Sequence, residues 1–223
     1  MIELPMEQQR GTGQSLYGEI RSDIVFGRLE PGEKLKTTDL RKRYGTSVST
    51  LREVLNRLAS EGFVEAREQR GFFVAPMSEA GLREIADLRI LLENHALEQS
   101  LAEGDTNWEA GVISAYHKLE RMEKRRAEGD TSVIEAWKRY DWEFHQSLIA
   151  ACGSTELRAL HGTVFDKYLR YQMQFLSYRG EVAAKEHRGL LDAALEHDAA
   201  AAQKMLRAHI SGGVEHALSL MRL

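Results

Sequence analysis

The sequence predicts a mainly α-helical protein in two parts: a small helix-turn-helix unit closed by a β-hairpin, then an antiparallel bundle of six helices. Three observations predict this. The chain is rich in Ala, Leu, Glu and Arg and has only 3 prolines in 223 residues, which favours helix. Two-residue alternation of apolar and polar side chains occurs in one place, between Phe63 and Val74. Beyond Pro76 every long segment spaces its apolar residues as a helix does, and the short connections imply antiparallel neighbours. The length fits two domains, and a hydrophobic content of 43% suffices for packed cores. The expected divisions are a disordered lead-in over 1–13, a first domain over 14–77 and a second over 78–223.

In chain order, Leu16, Ile20 and Ile24 mark a first helix over 15–26. The stretch Gly27-Arg28-Leu29-Glu30-Pro31-Gly32 is a turn. Thr37 or Thr38 caps a short second helix through Tyr44, and Gly45 ends it. Leu51, Leu55 and Leu58 then fall at i, i+4 and i+7, one face of a third helix that Ser47 or Ser49 can cap and Gly62 stops. The opposite face carries Ser49, Arg52, Asn56 and Arg57. Such a helix can enter a DNA major groove, its first-turn hydroxyls and guanidinium reaching phosphates and base edges. Taken alone it is equally an amphipathic helix with a solvated basic face. Its setting in a helix, Gly-turn, helix sequence favours the DNA-reading alternative. Residues 64–67 and 71–74 alternate as a hairpin, a wing with Arg70 and Gly71 at its tip. The net charge of −4 does not oppose this reading, because Lys36 to Arg57 holds six basic against two acidic residues.

These elements resemble a known family. Gly27-x-Leu29-x-Pro31-Gly32-x-x-Leu35, Val48-Ser49-x-x-x-Arg52-Glu53-x-Leu55-x-x-Leu58-x-x-Glu61-Gly62 and Arg70-Gly71-x-x-Val74 are similar to the winged-helix domain of GntR-type bacterial transcription regulators. The resemblance covers about 15–77 and implies DNA contacts by Thr38, Ser47, Ser49, Thr50, Arg52, Arg70 and Gly71. Many members have an arginine where this chain has Val48, so operator sequences do not transfer from relatives.

The second part reads as helices over 78–103, 108–128, 131–151, 155–177, 182–197 and 199–221. On the third of these, Val133, Trp137, Tyr140, Phe144 and Leu148 form the apolar stripe. Asp141 and His145 flank it, four residues apart and pointing the same way, so one carboxylate oxygen and one imidazole nitrogen can meet one ion. His187 shares a face with Leu191 and Ala194, and His209 with Ala202 and Met205, so both point inward. Three imidazoles and a carboxylate suit a first-row divalent ion such as Zn²⁺ or Ni²⁺, and leave positions for water or a small acid. Individually each is weak: a histidine on an apolar face is more often a hydrogen-bonded core residue, and His216 competes with His209 for the last place.

A second resemblance bears on this group. Asp87-x-Arg89-x-x-Leu92-Glu93, Asp141-x-x-Phe144-His145, Glu186-His187 and His209 look like the all-helical FCD effector domain of the FadR-type branch of the same family. It implies a divalent metal on Asp141, His145, His187 and His209, a small organic acid as effector, and a homodimer formed through this domain. Where the family usually has Gly-Asn after the third helix of the domain, this chain has Gly153-Ser154. Arg89, by resemblance, and Arg170 with its neighbour Tyr168 are the candidates for the effector's anionic end, since the planar guanidinium binds both carboxylate oxygens. The alternative for Arg89 is an ion pair with Glu93, four residues on.

Cys152, the single cysteine, excludes an internal disulfide and reads as a small buried hydrophobe. No apolar run has the length of a signal peptide or a membrane span, so the expected location is the cytoplasm with no membrane partner. Three functions follow. The first is a homodimeric repressor that binds double-stranded operator DNA under control of the acid. The second is a metal-dependent hydrolase on the same four ligands, for which no general base stands out by spacing. The third is a bundle that only dimerises, its histidines being core.

Overall fold

The structure is a computed structural model and describes residues 12–175 and 178–221, with side chains placed from residue 15 onward. The chain divides into two units, Met1–Met77 and Ser78–Leu223. Of the expected lead-in, residues 1–11 lie outside the described residues, and Thr12 and Gly13 already belong to the first helix.

The first unit contains α1 (Thr12–Val25), β1 (Lys34–Leu35), α2 (Thr37–Tyr44), α3 (Val48–Ser60), β2 (Val64–Arg67) and β3 (Gly71–Val74). Leu16, Ile20 and Ile24 of α1 are buried together with Leu40, Leu51, Leu55 and Leu58, so the helical spacing of these residues builds the core. Ser47 caps α3, its hydroxyl accepting the Thr50 N–H at 3.2 Å. Gly45 ends α2 in the left-handed conformation (φ 61), which a residue with a Cβ adopts at a cost.

The wing is larger than the expected hairpin. It is a three-stranded antiparallel sheet in the order β1-β3-β2, with Lys34 opposite Phe73 and Val64 opposite Val74. Two residues are too few for alternation to reveal β1. The turn before it brings the strand in: Gly32 donates to the Val74 carbonyl at 3.0 Å, and Val74 donates to that of Glu33 at 2.9 Å. The residue before α2, Lys36, makes no side-chain cap, so neither Thr37 nor Thr38 has the capping role expected of it. Asp23 ties the unit together, accepting from Arg28, Arg43 and Tyr44, each at 2.6 Å.

The second unit is α4 (Glu79–Glu103), α5 (Thr106–Ala127), a 3₁₀ turn (Thr131–Val133), α6 (Ile134–Leu148), α7 (Thr155–Gln174), α8 (Glu181–Leu195) and α9 (Ala199–Met221). α4 packs against α7 and α9, α5 against α6 and α8, and α8 against α9. Ser78, Asp105 and Ser154 each cap the helix that follows. The helix expected over 131–151 is shorter than that. Asp130 accepts the Ser132 N–H and tightens the start into a 3₁₀ turn, and α6 ends at Leu148. The expected end of the next helix at 177 falls outside the described residues. α8 stops at Leu195 rather than His197, because His197 takes a left-handed backbone (φ 52) and its ring bonds the Leu101 carbonyl at 2.6 Å. Among the described residues no helix is long and apolar enough to cross a membrane.

Candidate metal centre and DNA-facing groove

Three helices bring four side chains to one point inside the bundle. α6 carries Asp141 and His145 one turn apart, α8 carries His187, and α9 carries His209. All four are buried, and each offers one ligand atom within 4.8 Å of the other three. His187 Nε2 lies 3.2 Å from Asp141 Oδ1, and His145 Nε2 lies 3.8 Å from the same oxygen. The rings of His187 and His209 are 4.5 Å apart between centroids.

Each imidazole is oriented from behind by a carboxylate on another element or turn. His145 Nδ1 donates to Glu93 of α4, His187 Nδ1 to Glu123 of α5 at 2.7 Å, and His209 Nδ1 to Glu186 of α8 at 2.8 Å. A carboxylate only accepts, so Nδ1 carries the proton and Nε2 is the atom left to face the centre. Buried Nε2 atoms of His145 and His187 have no hydrogen-bond partner among the described residues; the Asp141 oxygen near His187 lies out of line. A cation seated among them satisfies both, so the donor set fits a divalent ion. Bonds of about 2.1 Å put opposite ligand atoms at most ~4.2 Å apart, so the ligands would draw inward by a few tenths of an ångström.

The four residues sit among paired charges. Asp141, Glu93, Glu123 and Glu186 face Lys138, Arg89, Arg179 and His187. Burial opposes the charge on His187, but the adjacent Asp141 and Glu123 carboxylates outweigh it and raise its pKa to about 9. Burial and the neighbouring His187 charge push His209 down to about 3. Burial also works against the Asp141 carboxylate, yet Lys138 and His187 hold it well below the usual range.

Beside the four residues is a cavity of ≈ 20 Å³, lined in part by Lys138, Gln172 and Arg179. That is room for about one water. Lys138 Nζ lies 3.5 Å from Asp141 Oδ2 and donates to Gln172 at 2.8 Å. Arg179 clamps Glu186 with both terminal nitrogens, at 2.8 and 2.7 Å, and donates to the His209 carbonyl at 3.1 Å. Arg89 is held elsewhere. It is buried, donates to Glu93 at 2.9 Å, and stacks on Phe165 and Tyr168. Tyr168 donates to the Ile210 carbonyl at 3.2 Å, and Arg170 is buried on α7. None of Arg89, Tyr168 and Arg170 lines the cavity. Sequence reading did not mark Lys138, Gln172, Arg179 or Glu123; only Lys138, three residues before Asp141, carried a spacing signal.

In the first unit, Arg52, Thr38 and Gly71 line one groove of ≈ 440 Å³ with Lys34, Lys36 and Asn56. Arg52 is exposed. The Ser47 hydroxyl lies 2.8 Å from that of Ser49 and 2.9 Å from that of Thr50, so these three are knit into one cluster at the start of α3. Arg70 is exposed at the wing tip.

Residues 12–74 match the profile of the bacterial regulatory proteins of the gntR family, and residues 84–212 match that of the FCD domain. The chain is 34% identical to the uncharacterized HTH-type transcriptional regulator BphR of Paraburkholderia xenovorans, over 95% of this chain and 87% of that one. It is 32% identical to the HTH-type transcriptional repressor GlaR of Escherichia coli, over 87% of this chain and 90% of that one. Among solved structures, E. coli McbR/YncC superposes with a TM-score of 0.79 at 18% identity, covering 95% of this chain and 99% of that one, a likeness of fold.

Proposed function

The chain belongs to the gntR family of bacterial transcription regulators and carries an FCD domain, and from that premise we propose a homodimeric repressor whose hold on operator DNA is set by a small organic acid bound beside a divalent metal ion. The observation that carries the metal is the pair of buried, unpartnered Nε2 atoms of His145 and His187, aimed with His209 and Asp141 at one point. The acid is supported by the two cationic side chains, Lys138 and Arg179, that line the cavity beside these four residues. Zn²⁺ and Ni²⁺ both suit three imidazoles and one carboxylate.

The ion would supply positive charge and open coordination positions. Lys138 and Arg179 supply the donors for an acid's oxygens. A cavity of ≈ 20 Å³ admits no such acid, so binding requires the side chains of Gln172 or Arg179 to move. An acid alters operator affinity only by its different affinity for the two arrangements. Two readers related by two-fold symmetry match a near-palindromic operator, with Thr38, Ser47, Ser49, Thr50, Arg52, Arg70 and Gly71 as the contacts. GlaR is named a repressor, which supports that sign of control here. The alternative, a metal-dependent hydrolase, finds no support, since the matched families and relatives are regulators rather than enzymes.

The test uses protein purified without a histidine tag. Elemental analysis should find about one transition-metal ion per chain. Mono- and dicarboxylates should then raise the melting temperature of the loaded protein and not of chelator-stripped protein. An acid at 100 times its dissociation constant adds about 2.7 kcal/mol. Metal-free protein that still responds to acids would refute the joint site. The absence of any metal together with an unchanged response in His145→Ala and His187→Ala would return the histidines to the core.

A further inference from the structure

Val48 is an exposed apolar side chain at the first position of α3, 38% accessible, flanked in sequence by Ser47 and Ser49. It contributes nothing to the core of the unit, which α3 builds from Leu51, Val54, Leu55 and Leu58. A β-branched residue is also a poor choice for an exposed helical position. Val48, Arg52 and Asn56 lie four residues apart in turn and so form one stripe along the helix. Two members of that stripe, Arg52 and Asn56, line the groove with Lys34 and Lys36. A basic groove takes a polyanion, so the surface that covers Val48 is DNA rather than another apolar protein face.

We propose that Val48 is a base-reading residue that packs on the C5 methyl of a thymine in the major groove. This rests on the reading of the protein as an operator-binding regulator. A valine cannot donate to a phosphate or to a base edge, and the one apolar feature on the floor of the major groove is the thymine methyl. The Ser47 hydroxyl beside it is occupied by the Thr50 N–H and the neighbouring hydroxyls, so the apolar contact is what this first turn adds. Four residues of helix span about 6 Å, less than two base steps of about 3.4 Å. The thymine therefore lies within one or two base pairs of the nucleotide facing Arg52, and Asn56, next on the stripe, has the amide that pairs with adenine.

The full-length protein should be used to select tight-binding duplexes from a randomised pool. Each thymine of the selected site is then replaced by deoxyuridine, which deletes only the methyl. One thymine per half-site should show a loss of about fourfold, the equivalent of ~0.8 kcal/mol for one carbon taken out of water. Val48→Ala should lose about as much on the thymine duplex and nothing further on the deoxyuridine duplex. A selected site indifferent to every deoxyuridine change, or a Val48→Ala protein that keeps the full methyl dependence, overturns the assignment while leaving DNA binding intact. Failure to enrich any duplex removes the DNA-binding reading, and this inference with it.

Discussion

Glu123→Gln tests the metal centre through a residue that touches no metal. Glu123 Oε1 accepts the His187 Nδ1 proton at 2.7 Å, and both side chains are buried. Glutamine keeps the shape and an accepting oxygen but removes the charge that would make His187 a stronger ligand. Loss of such an outer partner costs about 10–100-fold in metal affinity, or ~1.4–2.7 kcal/mol. At a fixed metal concentration above the dissociation constant, the metal-dependent stabilisation falls by the same amount. For a chain of this size ~1.4 kcal/mol moves the melting temperature by about 3–6 °C. Affinity is read by competition with a chromophoric chelator, and melting is followed with and without metal. Glu120→Gln serves as the control: it lies on the same helix, pairs with Lys124 near the surface at 3.0 Å, and should change nothing. Metal binding by Glu123→Gln as tight as by the parent protein would refute the claim that the carboxylates behind the imidazoles shape the site.

Arg52→Ala should weaken operator binding by about 1–3 kcal/mol if the guanidinium meets a base, or flatten the salt dependence if it meets a phosphate; fluorescence anisotropy at two salt concentrations separates these, and unchanged binding at both removes it from the interface. Arg179→Lys keeps the charge but loses the fork on Glu186, so acid binding should weaken about tenfold, ~1.4 kcal/mol, with metal content unchanged; equal calorimetric affinities would exclude Arg179 from the acid site. For Asp23, burial opposes its charge, but the hydrogen bonds from Tyr44 and Arg28 and the nearby Arg43 hold its carboxyl below the usual value. Stability from such a group is complete above about pH 4 and is lost as the pH falls through the lowered value. Asp23→Asn should thus destabilise the first unit near neutrality and flatten its acid-unfolding limb, and a limb parallel to that of the parent in circular dichroism would count against it.

The parts of the molecule legible in the sequence are those where spacing alone determines direction. Asp141 and His145 share a helical face, and His187 and His209 sit among apolar neighbours, so their inward orientation followed from periodicity. Their carboxylate partners did not, because Glu93 and Glu123 approach from other helices across separations that no local pattern encodes. Arg179 stands in the link before α8, outside any helical repeat. Arg89 pairs with Glu93 one turn away, the alternative already visible as an i, i+4 pair. β1 is two residues long and exists because of its pairing with β3, a long-range fact. The winged-helix core was plain for the opposite reason: Leu51, Leu55 and Leu58 repeat at one period and bury together.

The carboxylates behind the imidazoles have a mechanical consequence. The candidate ligands come from α6, α8 and α9, and their supports from α4, α5 and α8, while Glu93 also accepts from His161 of α7 at 3.0 Å. Every long helix of the second unit therefore has a polar tether leading to one place. Fraying of any single helix would strand a buried charge or an imidazole elsewhere, so exchange of the deeply buried amides should proceed through concerted opening of the whole unit, and proteases should find it either intact or fully open.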